Sequence, residues 1–540
     1  SILLRCLRTQ WATLSQYVTG LSHGLLGRPA NDSKKIWSSA SAQRDEEEGV
    51  SSPVEQILDV QVDHGAPHTF PLTAQQVEDT IQEFIDSINK SAVCDLASRQ
   101  NGGKCCRVVD QRNGSFNICF FILFDAENVT WVMRIPIEPV TRNAWAKLVS
   151  EVTTIRYIKR NTTIPIPHIH SYGKDTTLVE GASTPFILME LIQGRQLHTS
   201  TVFHATEHQR RNLYIGLIDT LAQLRKLEFS AAGSLMPNPD SPDGESNPVL
   251  GPFLSMTVNE LERKLERPVS TEIFTSVKRF MDLHCHILSQ TFQLPAEELD
   301  RRQAKMELFA LESVSKEIPK YIKLQETERP YILAHPDLRC GNIMVDDDFH
   351  ILGIIDWEFT STIPQQIYIP PPWITGHDPD TLLMVTGVPR DQIWLEFSRV
   401  LEELHKTSSG WTQLCQDWGL LHQDDTQSKD FLLELSPMVQ ILRHPSSLID
   451  VYYSSIFRRL FGSETLKDAV VNEFFEQSEN QAIAEQIELH IEKSERYTEY
   501  LRKNDLLIPD ERSQQIEEFL KRAKALLQAG ETGRGKEIEE

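Results

Sequence analysis

The sequence predicts an α+β protein in which a small strand-rich lobe precedes a larger, mainly helical lobe. Between residues 105 and 137, β-branched and aromatic runs alternate with turn residues, which indicates three adjacent antiparallel strands. Beyond Gly194 the apolar residues recur at helical spacing, as in Tyr214, Leu217, Ile218, Leu221 and Leu224. The 540 residues also exceed the roughly 100–200 expected of one domain.

Shifts in composition divide the chain into four parts. Residues 1–66 are predicted to be a leader and linker, because their second half is polar and broken by Gly, Pro, Ser and an acidic run. The small lobe is placed at 67–191 and the large lobe at 192–465. A helical extension and a charged tail are expected at 466–540.

The bulk composition limits the partners. With 54 Lys and Arg against 77 Asp and Glu, the formal charge of −23 makes nucleic acid a poor partner and suits bound cations or a basic small substrate better. The eight cysteines contain no CxxC pair, which argues against a zinc ribbon or a disulfide framework. No apolar run approaches the roughly 18 residues of a membrane span, and an intracellular protein is expected.

The first thirty residues have a composition of their own. They contain Arg5, Arg8 and Arg28 and several hydroxyl residues, and no acid precedes Asp32. This pattern is typical of a mitochondrial transit peptide, with an ordinary leader as the alternative. The predicted location is therefore cytoplasmic or mitochondrial.

Two helices are predicted to flank the strands of the small lobe. Thr73 and Gln76 have the spacing of a capping box at the start of the first. The second covers residues 143–161, and Glu151 lies on its apolar stripe. A carboxylate on a core-facing stripe needs a cationic partner or water, so Glu151 either faces a cation or reaches solvent at the helix edge.

Residues 332–358 contain isolated polar groups among aliphatic runs. "IMV" and "HILGII" flank "DDDF", which indicates a β-hairpin with an acidic turn. Such a hairpin brings Asn342 and Asp356 to one open end, with Asp337 on the incoming loop. Hard oxygen ligands suit Mg²⁺, and a further carboxylate can accept a proton from a hydroxyl. Alternatively, these residues are turn formers and caps, and His335 is a core histidine.

This segment resembles the H-x-D-x-x-x-x-N…D catalytic segment of aminoglycoside phosphotransferases, choline kinase-like enzymes and protein kinases. The ending "IIDWE" is similar to the aminoglycoside phosphotransferase branch, and residues 70–465 resemble its large fungal group. The resemblance implies a two-lobed protein kinase-like fold. It also implies that Asp337 is the catalytic base, that Asn342 and Asp356 bind Mg²⁺, and that His335 braces the catalytic loop.

The resemblance also assigns roles in the small lobe. Arg134 stands where most kinases have the lysine that contacts phosphate, and Glu151 matches the helix carboxylate that pairs with this cation. The order of these elements along the chain agrees with the family.

Two further segments are implied to contact ATP. Asn113, Gly114 and Ser115 form a turn between the first two strands that is expected to approach the phosphates, although NG is also a common hairpin turn. The segment from Glu190 to Ile192 resembles the hinge that contacts adenine.

Other polar segments keep two interpretations. Glu358 is either a metal or substrate contact or a structural residue, and "PQQIYIPPPW" is a rigid connector or part of the acceptor site. "HCH" at 284–286 lacks further ligands at zinc spacing. The helices after residue 470 are predicted to be a packing or partner surface, through which the chain could self-associate.

The function predicted from these observations is an ATP- and Mg²⁺-dependent phosphotransferase that moves the γ-phosphoryl group to a hydroxyl of a small molecule. The alternative is a pseudokinase that binds nucleotide or acts as a scaffold without turnover, which Arg134 favours. A protein-directed kinase is disfavoured because no APE-like segment follows Asp356.

Overall fold

The computed structural model describes residues 70–241, 247–325, 329–378, 390–421 and 426–507. The leader and linker predicted at 1–66 and the charged tail at the C-terminal end lie outside these residues.

An antiparallel sheet forms the centre of the N-terminal part. Its order is β1-β2-β3-β5-β4, and its strands are β1 Arg107–Asn113, β2 Asn117–Phe124, β3 Val129–Pro136, β4 Ile169–Asp175 and β5 Thr184–Glu190. The prediction of three adjacent antiparallel strands is confirmed, because β2 pairs with both β1 and β3. The "RNGS" turn joins β1 to β2 as expected.

Three helices cover this sheet: α1 Ala74–Ser87, α2 Lys90–Gln100 and α3 Ala144–Asn161. The predicted capping box is present, since Thr73 and Gln76 each accept a hydrogen bond from the other's backbone. Helix α2 was not predicted. It begins at the Asn89 cap, and its sequence "KSAVCDLASRQ" has too few apolar residues to predict a helix. Burial of Val93 and Leu96 against the sheet stabilises it.

The two faces of the sheet belong to different cores. Alternate residues of β2, from Ile118 to Phe124, pack with α1 and α2 in one cluster. Cys119 and Phe121 of the same strand point the other way, toward α3 and the larger core. Helix α3 thus lies between the sheet and the rest of the chain.

The C-terminal part is mainly helical, with short sheets. Its strands are β6 Arg195–Gln196, β7 Glu228–Phe229, β8 Ser234–Met236, β9 Val249–Gly251, β10 Tyr331–Ala334, β11 Ile343–Val345, β12 Ile351–Ile354 and β13 Ser361–Pro364. Its helices are α4 Thr199–His204, α5 Glu207–Arg225, α6 Met256–Leu265, α7 Val277–Gln293, α8 Arg301–Tyr321, α9 Pro372–Thr375, α10 Arg390–Leu404, α11 Ser409–Asp417, α12 Thr426–Arg443, α13 Leu448–Val451, α14 Phe457–Phe461, α15 Lys467–Glu476 and α16 Gln481–Lys503. A π-helical segment, Tyr452–Ile456, joins α13 to α14.

The segment "MPNPDSPDGESNPVLGP" differs from the loop that its composition suggests. Its ends pair in an antiparallel hairpin, with Met236 of β8 opposite Val249 of β9. Gly233 and Gly251 allow the two backbones to approach, because a Cβ at Gly233 would overlap the carbonyl oxygen of Gly251. Proline and aspartate indicate a turn, but the pairing of its flanks depends on backbone contact.

The last two helices pack within the chain. Both α15 and α16 contact α8. On α16, His490 Nε2 donates to the Leu294 carbonyl at 3.0 Å, and the Tyr497 hydroxyl donates to the Pro71 carbonyl at 3.1 Å. The apolar face of α16 is therefore used internally, and self-association stays a prediction. Among the described residues, no helix has both the length and the apolar composition that crossing a bilayer requires.

The α+β fold class predicted from the sequence is confirmed, and so is the two-lobed, protein kinase-like arrangement. A five-stranded antiparallel sheet with one helix between β3 and β4 precedes a helical lobe. The hairpin of β11 and β12 lies in that lobe and pairs with β6, just beyond the segment that joins the lobes.

Candidate active site

The hairpin of β11 and β12 positions two of the predicted site residues. Ile343 pairs with Ile354, and the Ile355 amide donates to the Asn342 carbonyl at 3.0 Å. Asn342 and Asp356 therefore stand at the same open end, as the sequence predicts. Asp356 has a φ of +70°, a left-handed backbone that Asp adopts more readily than most residues.

Asp337 is held by its neighbours on the loop before β11. The Asn342 amide nitrogen donates to the Asp337 carbonyl at 2.8 Å and to its carboxylate at 3.3 Å. Arg339 Nε lies 2.9 Å from the same carboxylate oxygen. The carboxylate is thus oriented by an amide and a cation and keeps a second oxygen for other contacts.

His335 links the loop to the strand beside it. Its Nε2 donates to the Ile355 carbonyl at 3.0 Å, and its Nδ1 accepts the Asp337 amide proton at 3.2 Å. Burial lowers the pKa of His335, and the neutral ring that results is the form that these two bonds require. The ring packs edge-on against Trp357 at 4.8 Å.

Arg134 joins the small lobe to this hairpin. From β3 its guanidinium places Nη1 2.6 Å from Glu151 on α3 and Nη2 2.8 Å from Asp356. The same Nη2 lies 3.5 Å from Glu358. Glu151 is therefore buried against a cation, and the alternative that it reaches solvent at the helix edge is wrong, since its side chain is only 3% exposed.

A second buried cation was missed by the sequence analysis. Lys147 Nζ lies 2.5 Å from Glu358 and 3.0 Å from the Asn117 side-chain oxygen. The Asn117 amide nitrogen in turn donates to Glu358 at 2.7 Å. The available signal was the spacing of Lys147 and Glu151, which lie one helical turn apart on α3.

These groups form a compact charged cluster of three carboxylates and two cations. Burial raises the pKa of Glu151 to about 7, although Arg134 opposes the shift. Burial lowers the pKa of Arg134, but Glu151, Asp356 and Glu358 outweigh it and hold that pKa well above its usual value. The cluster has a formal charge of −1 when every member is ionised, so it can accept a further cation.

The turn between β1 and β2 reaches this cluster through the residue that follows it. Asn113, Gly114 and Ser115 are exposed, and the Gly114 amide donates to the Asn117 carbonyl at 2.8 Å. Phe116 packs edge-on against Phe359 with ring centroids 5.2 Å apart. The turn is thus anchored beside the segment that carries Asp356.

The predicted hinge also contacts the hairpin. The Glu190 side chain accepts the His168 amide proton at 2.8 Å, and Ile192 lies against Gly353 of β12. A Cβ at Gly353 would overlap the Ile192 side chain. Glycine is therefore required here so that the segment joining the lobes can lie close to β12.

A divalent cation would find few protein ligands at this site. Within the described ranges, no three His, Cys, Asp or Glu side chains are arranged to hold a metal ion. Asn342 and Asp356 offer oxygen donors at the open end of the hairpin. Two such ligands fit Mg²⁺, which usually keeps several waters and takes phosphate oxygens as well.

Comparison with known proteins shows which family the central part of the chain is similar to. Residues 120–365 match the model of the phosphotransferase enzyme family, APH. Clavilactone A biosynthesis cluster protein Y of Ampulloclitocybe clavipes is 23% identical over 43% of this chain and 54% of its own length. A subtelomeric hrmA-associated cluster protein of Aspergillus fumigatus is 22% identical over 51% of this chain and 61% of its own length. The chain thus spans little more than half the length of these curated relatives.

Solved structures of similar proteins are distant. The GDP complex of aminoglycoside 2'-phosphotransferase-IIIa is 14% identical over 69% of this chain and 99% of that one, with a TM-score of 0.38. An ethanolamine kinase of Plasmodium vivax is 12% identical over 76% of this chain and 98% of that one, with a TM-score of 0.36. Likenesses at this level carry no argument of their own. Residues 120–365, a little under half of the chain, are thus similar to the phosphotransferase enzyme family.

Proposed function

We propose that the chain is an ATP- and Mg²⁺-dependent phosphotransferase that moves the γ-phosphoryl group of ATP to a hydroxyl of a small molecule. The observation that carries this proposal is the contact of Arg134 with both Glu151 and Asp356. Arg134 and Asp356 are 222 residues apart in the sequence, yet their side chains lie 2.8 Å apart. Residues to which the family resemblance gives phosphate and metal roles are therefore in direct contact, which supports the proposal.

Asp337 is the proposed base. As the acceptor hydroxyl attacks the γ-phosphorus, its proton passes to the Asp337 carboxylate, the bond to the β-phosphate oxygen breaks, and ADP leaves with that electron pair. Asn342 and Arg339 orient the carboxylate, and His335 positions the loop through its two hydrogen bonds. Positioning and electrostatic stabilisation supply most of the catalysis in this class of reaction.

Arg134 and Glu151 are proposed to position the phosphates of ATP. Glu151 orients the guanidinium through Nη1, and Nη2 would turn from Asp356 and Glu358 to a phosphate oxygen when ATP binds. We assign phosphate contact to the Asn113–Ser115 turn and adenine contact to the Glu190–Ile192 backbone. Lys147 supports this arrangement by neutralising Glu358.

Asn342 and Asp356 would hold Mg²⁺, which supplies positive charge against the phosphate oxygens. Because Arg134 contacts Asp356, the guanidinium has to share this carboxylate with the metal ion or shift toward the incoming phosphates. Either change keeps the cluster close to neutral.

The test measures binding and turnover separately. We expect wild-type protein to bind Mg²⁺-ATP in isothermal titration, and Asp356→Ala to weaken that binding. Asp337→Ala should bind like the wild type and lose phosphoryl transfer by at least about 100-fold across a panel of hydroxylated metabolites. Asp347→Ala is the matched control, because Asp347 lies fully exposed in the turn of the same hairpin. Wild-type protein that binds no nucleotide refutes the proposal.

A pseudokinase is the second candidate: the proximity of Arg134 to Asp356 fits both functions, but their direct ion pair at 2.8 Å occupies a carboxylate that the enzyme needs for metal. If this ion pair persists, the carboxylate is closed to metal and the protein binds ATP without Mg²⁺. Equal ATP affinity with and without Mg²⁺, together with no transfer to any acceptor, would support this alternative. The presence of Asp337, Asn342 and Asp356, with Asn342 hydrogen-bonded to Asp337, supports the enzyme.

A further inference from the structure

A cavity of about 60 Å³ lies beside the catalytic loop. Pro336, the neighbour of Asp337, forms part of its wall, and Phe359 of the segment after Asp356 forms another part. Ile363 and Ile367 line it as well, and Ile367 places part of the "PQQIYIPPPW" segment at this cavity. The cavity thus lies one residue along the loop from the proposed base, although Asp337 is not one of the residues that line it.

The walls of the cavity are mostly apolar. Aromatic and aliphatic side chains from α7, α12, the loop before α6 and the two segments flanking the hairpin supply most of the surface, including Phe253, Phe280 and Leu442. No Asp or Glu is among the described residues that line it. A polycation, such as a sugar bearing several ammonium groups, would find no counter-charge on these walls and would lose its hydration.

His284 has one ring nitrogen without a hydrogen-bond partner in this wall. The residue is 7% exposed, its ring donates to the Leu442 carbonyl, and its Nδ1 has no hydrogen-bond partner. Burial lowers the pKa of His284 to about 4, so the ring is neutral near pH 7 and Nδ1 is an acceptor. Buried acceptors are normally satisfied, so an open one indicates a place for a ligand donor.

Arg443 supplies a charged hydrogen-bond donor at the same cavity, whereas His284 supplies an acceptor. Its Nη2 donates to the Ile367 carbonyl at 3.3 Å, and no carboxylate of the described residues lies within ion-pair distance of it. Burial lowers the pKa of Arg443 to about 10, and the side chain still carries its charge near pH 7. A half-buried cation without an ionic partner favours a carbonyl or carboxylate oxygen.

Building on the proposed function, we propose that the phosphoryl acceptor is an apolar alcohol whose second polar group is a carboxylate or a carboxamide. Because the cavity of about 60 Å³ takes only a few non-hydrogen atoms, the carboxylate or carboxamide end of the acceptor lies in it beside His284 and Arg443, and the hydroxyl end extends past Pro336 to Asp337. Arg443 donates to the carbonyl or carboxylate oxygen, and His284 Nδ1 accepts from an amide N–H or a second hydroxyl. This class differs from the basic substrate that the net charge suggests, because the net charge describes the whole surface and not this cavity.

Three probes that share one benzyl alcohol test the class: 4-(hydroxymethyl)benzoate, 4-(hydroxymethyl)benzamide and 4-(hydroxymethyl)benzylamine. Their dissociation constants are measured by titration calorimetry on the full chain. We expect the benzoate and the benzamide to bind at least about tenfold more tightly than the benzylamine. Arg443→Met should weaken benzoate binding by about 10- to 100-fold, the range of a charge-assisted hydrogen bond. His284→Leu should weaken the benzamide more than the benzoate.

Controls separate the cavity from the fold and from the nucleotide site. Arg160→Met changes an exposed arginine at the end of α3 and should leave all three constants unchanged. Each variant should keep its ATP affinity within about threefold of wild type. If His284→Leu does not fold, the change in benzoate affinity caused by Arg443→Met tests the inference. Benzylamine binding as tightly as benzoate, no binding of any probe, or an Arg443→Met variant with unchanged preference overturns the inference. If the probes bind as expected but ATP does not, the proposed function fails and the cavity assignment stands as a ligand site.

Discussion

The buried pair of Lys147 and Glu358 allows a quantitative test of the charged cluster. Their side chains are 2% and 7% exposed, and the nitrogen lies 2.5 Å from the carboxylate oxygen. Lys147→Met leaves a buried carboxylate whose remaining partners are the Asn117 amide at 2.7 Å and Arg134 at 3.5 Å. Removing one partner of a buried ion pair costs about 3–5 kcal/mol, and we expect the lower end because Arg134 stays within reach.

The assay is urea unfolding followed by tryptophan fluorescence, with a double-mutant cycle. Glu358→Gln alone should also destabilise the protein, since it leaves the Lys147 ammonium buried beside an amide. The double variant Lys147→Met/Glu358→Gln should recover most of the loss, because no unpaired charge remains. Lys159→Met, at the exposed end of the same helix, is the matched control and should stay within about 0.5 kcal/mol of wild type.

The same variants decide between the two roles open to Glu358. If Glu358 is structural, the double variant binds Mg²⁺-ATP like the wild type; if it contacts metal, the affinity stays low although stability returns. A Lys147→Met variant within about 1 kcal/mol of wild type would refute the reasoning, because it would mean that the pair is hydrated.

Three further predictions follow from the described contacts. Burial raises the pKa of Glu151 from 4.5 to about 7. Between these pH values the folded state holds a proton that the unfolded state has lost, so the free energy of unfolding should fall as pH rises. Urea unfolding from about pH 5 to pH 8 should show a smaller fall in Glu151→Gln than in wild type. Gly353→Ala should cost about 1–3 kcal/mol in the same assay and weaken ATP binding, because its methyl overlaps Ile192, and adding Ile192→Ala should relieve part of both effects. Arg210→Met should lower the free energy of unfolding by about 3–5 kcal/mol, since it breaks a buried ion pair that joins Glu396 through two hydrogen bonds of 2.6 and 2.8 Å. Arg211→Met should lower it by under about 1 kcal/mol, because the pair of Arg211 with Glu403 is exposed. Equal losses in the two arginine variants would show that burial of the first pair is not important.

Local features of the site were predictable from the sequence by itself. The hairpin carrying Asn342 and Asp356 has its strands and turn within about fifteen residues, so alternation and turn chemistry determine which residues share its open end. The same holds for the Thr73 capping box and for β1, β2 and β3, where each stabilising contact lies close by in the chain. The family resemblance added Arg134 and Glu151 because their order along the chain matches, and the structure brings both to the hairpin.

Only the tertiary structure decided which charges meet. The contact between Arg134 and Asp356, the pair of Lys147 and Glu358, and the cavity with His284 and Arg443 all join residues far apart in sequence. No periodicity encodes such contacts, because they depend on how the sheet, α3 and the helical lobe pack together. For the same reason α2 and the β8–β9 hairpin escaped prediction: burial against neighbouring elements stabilises them, and their own composition does not.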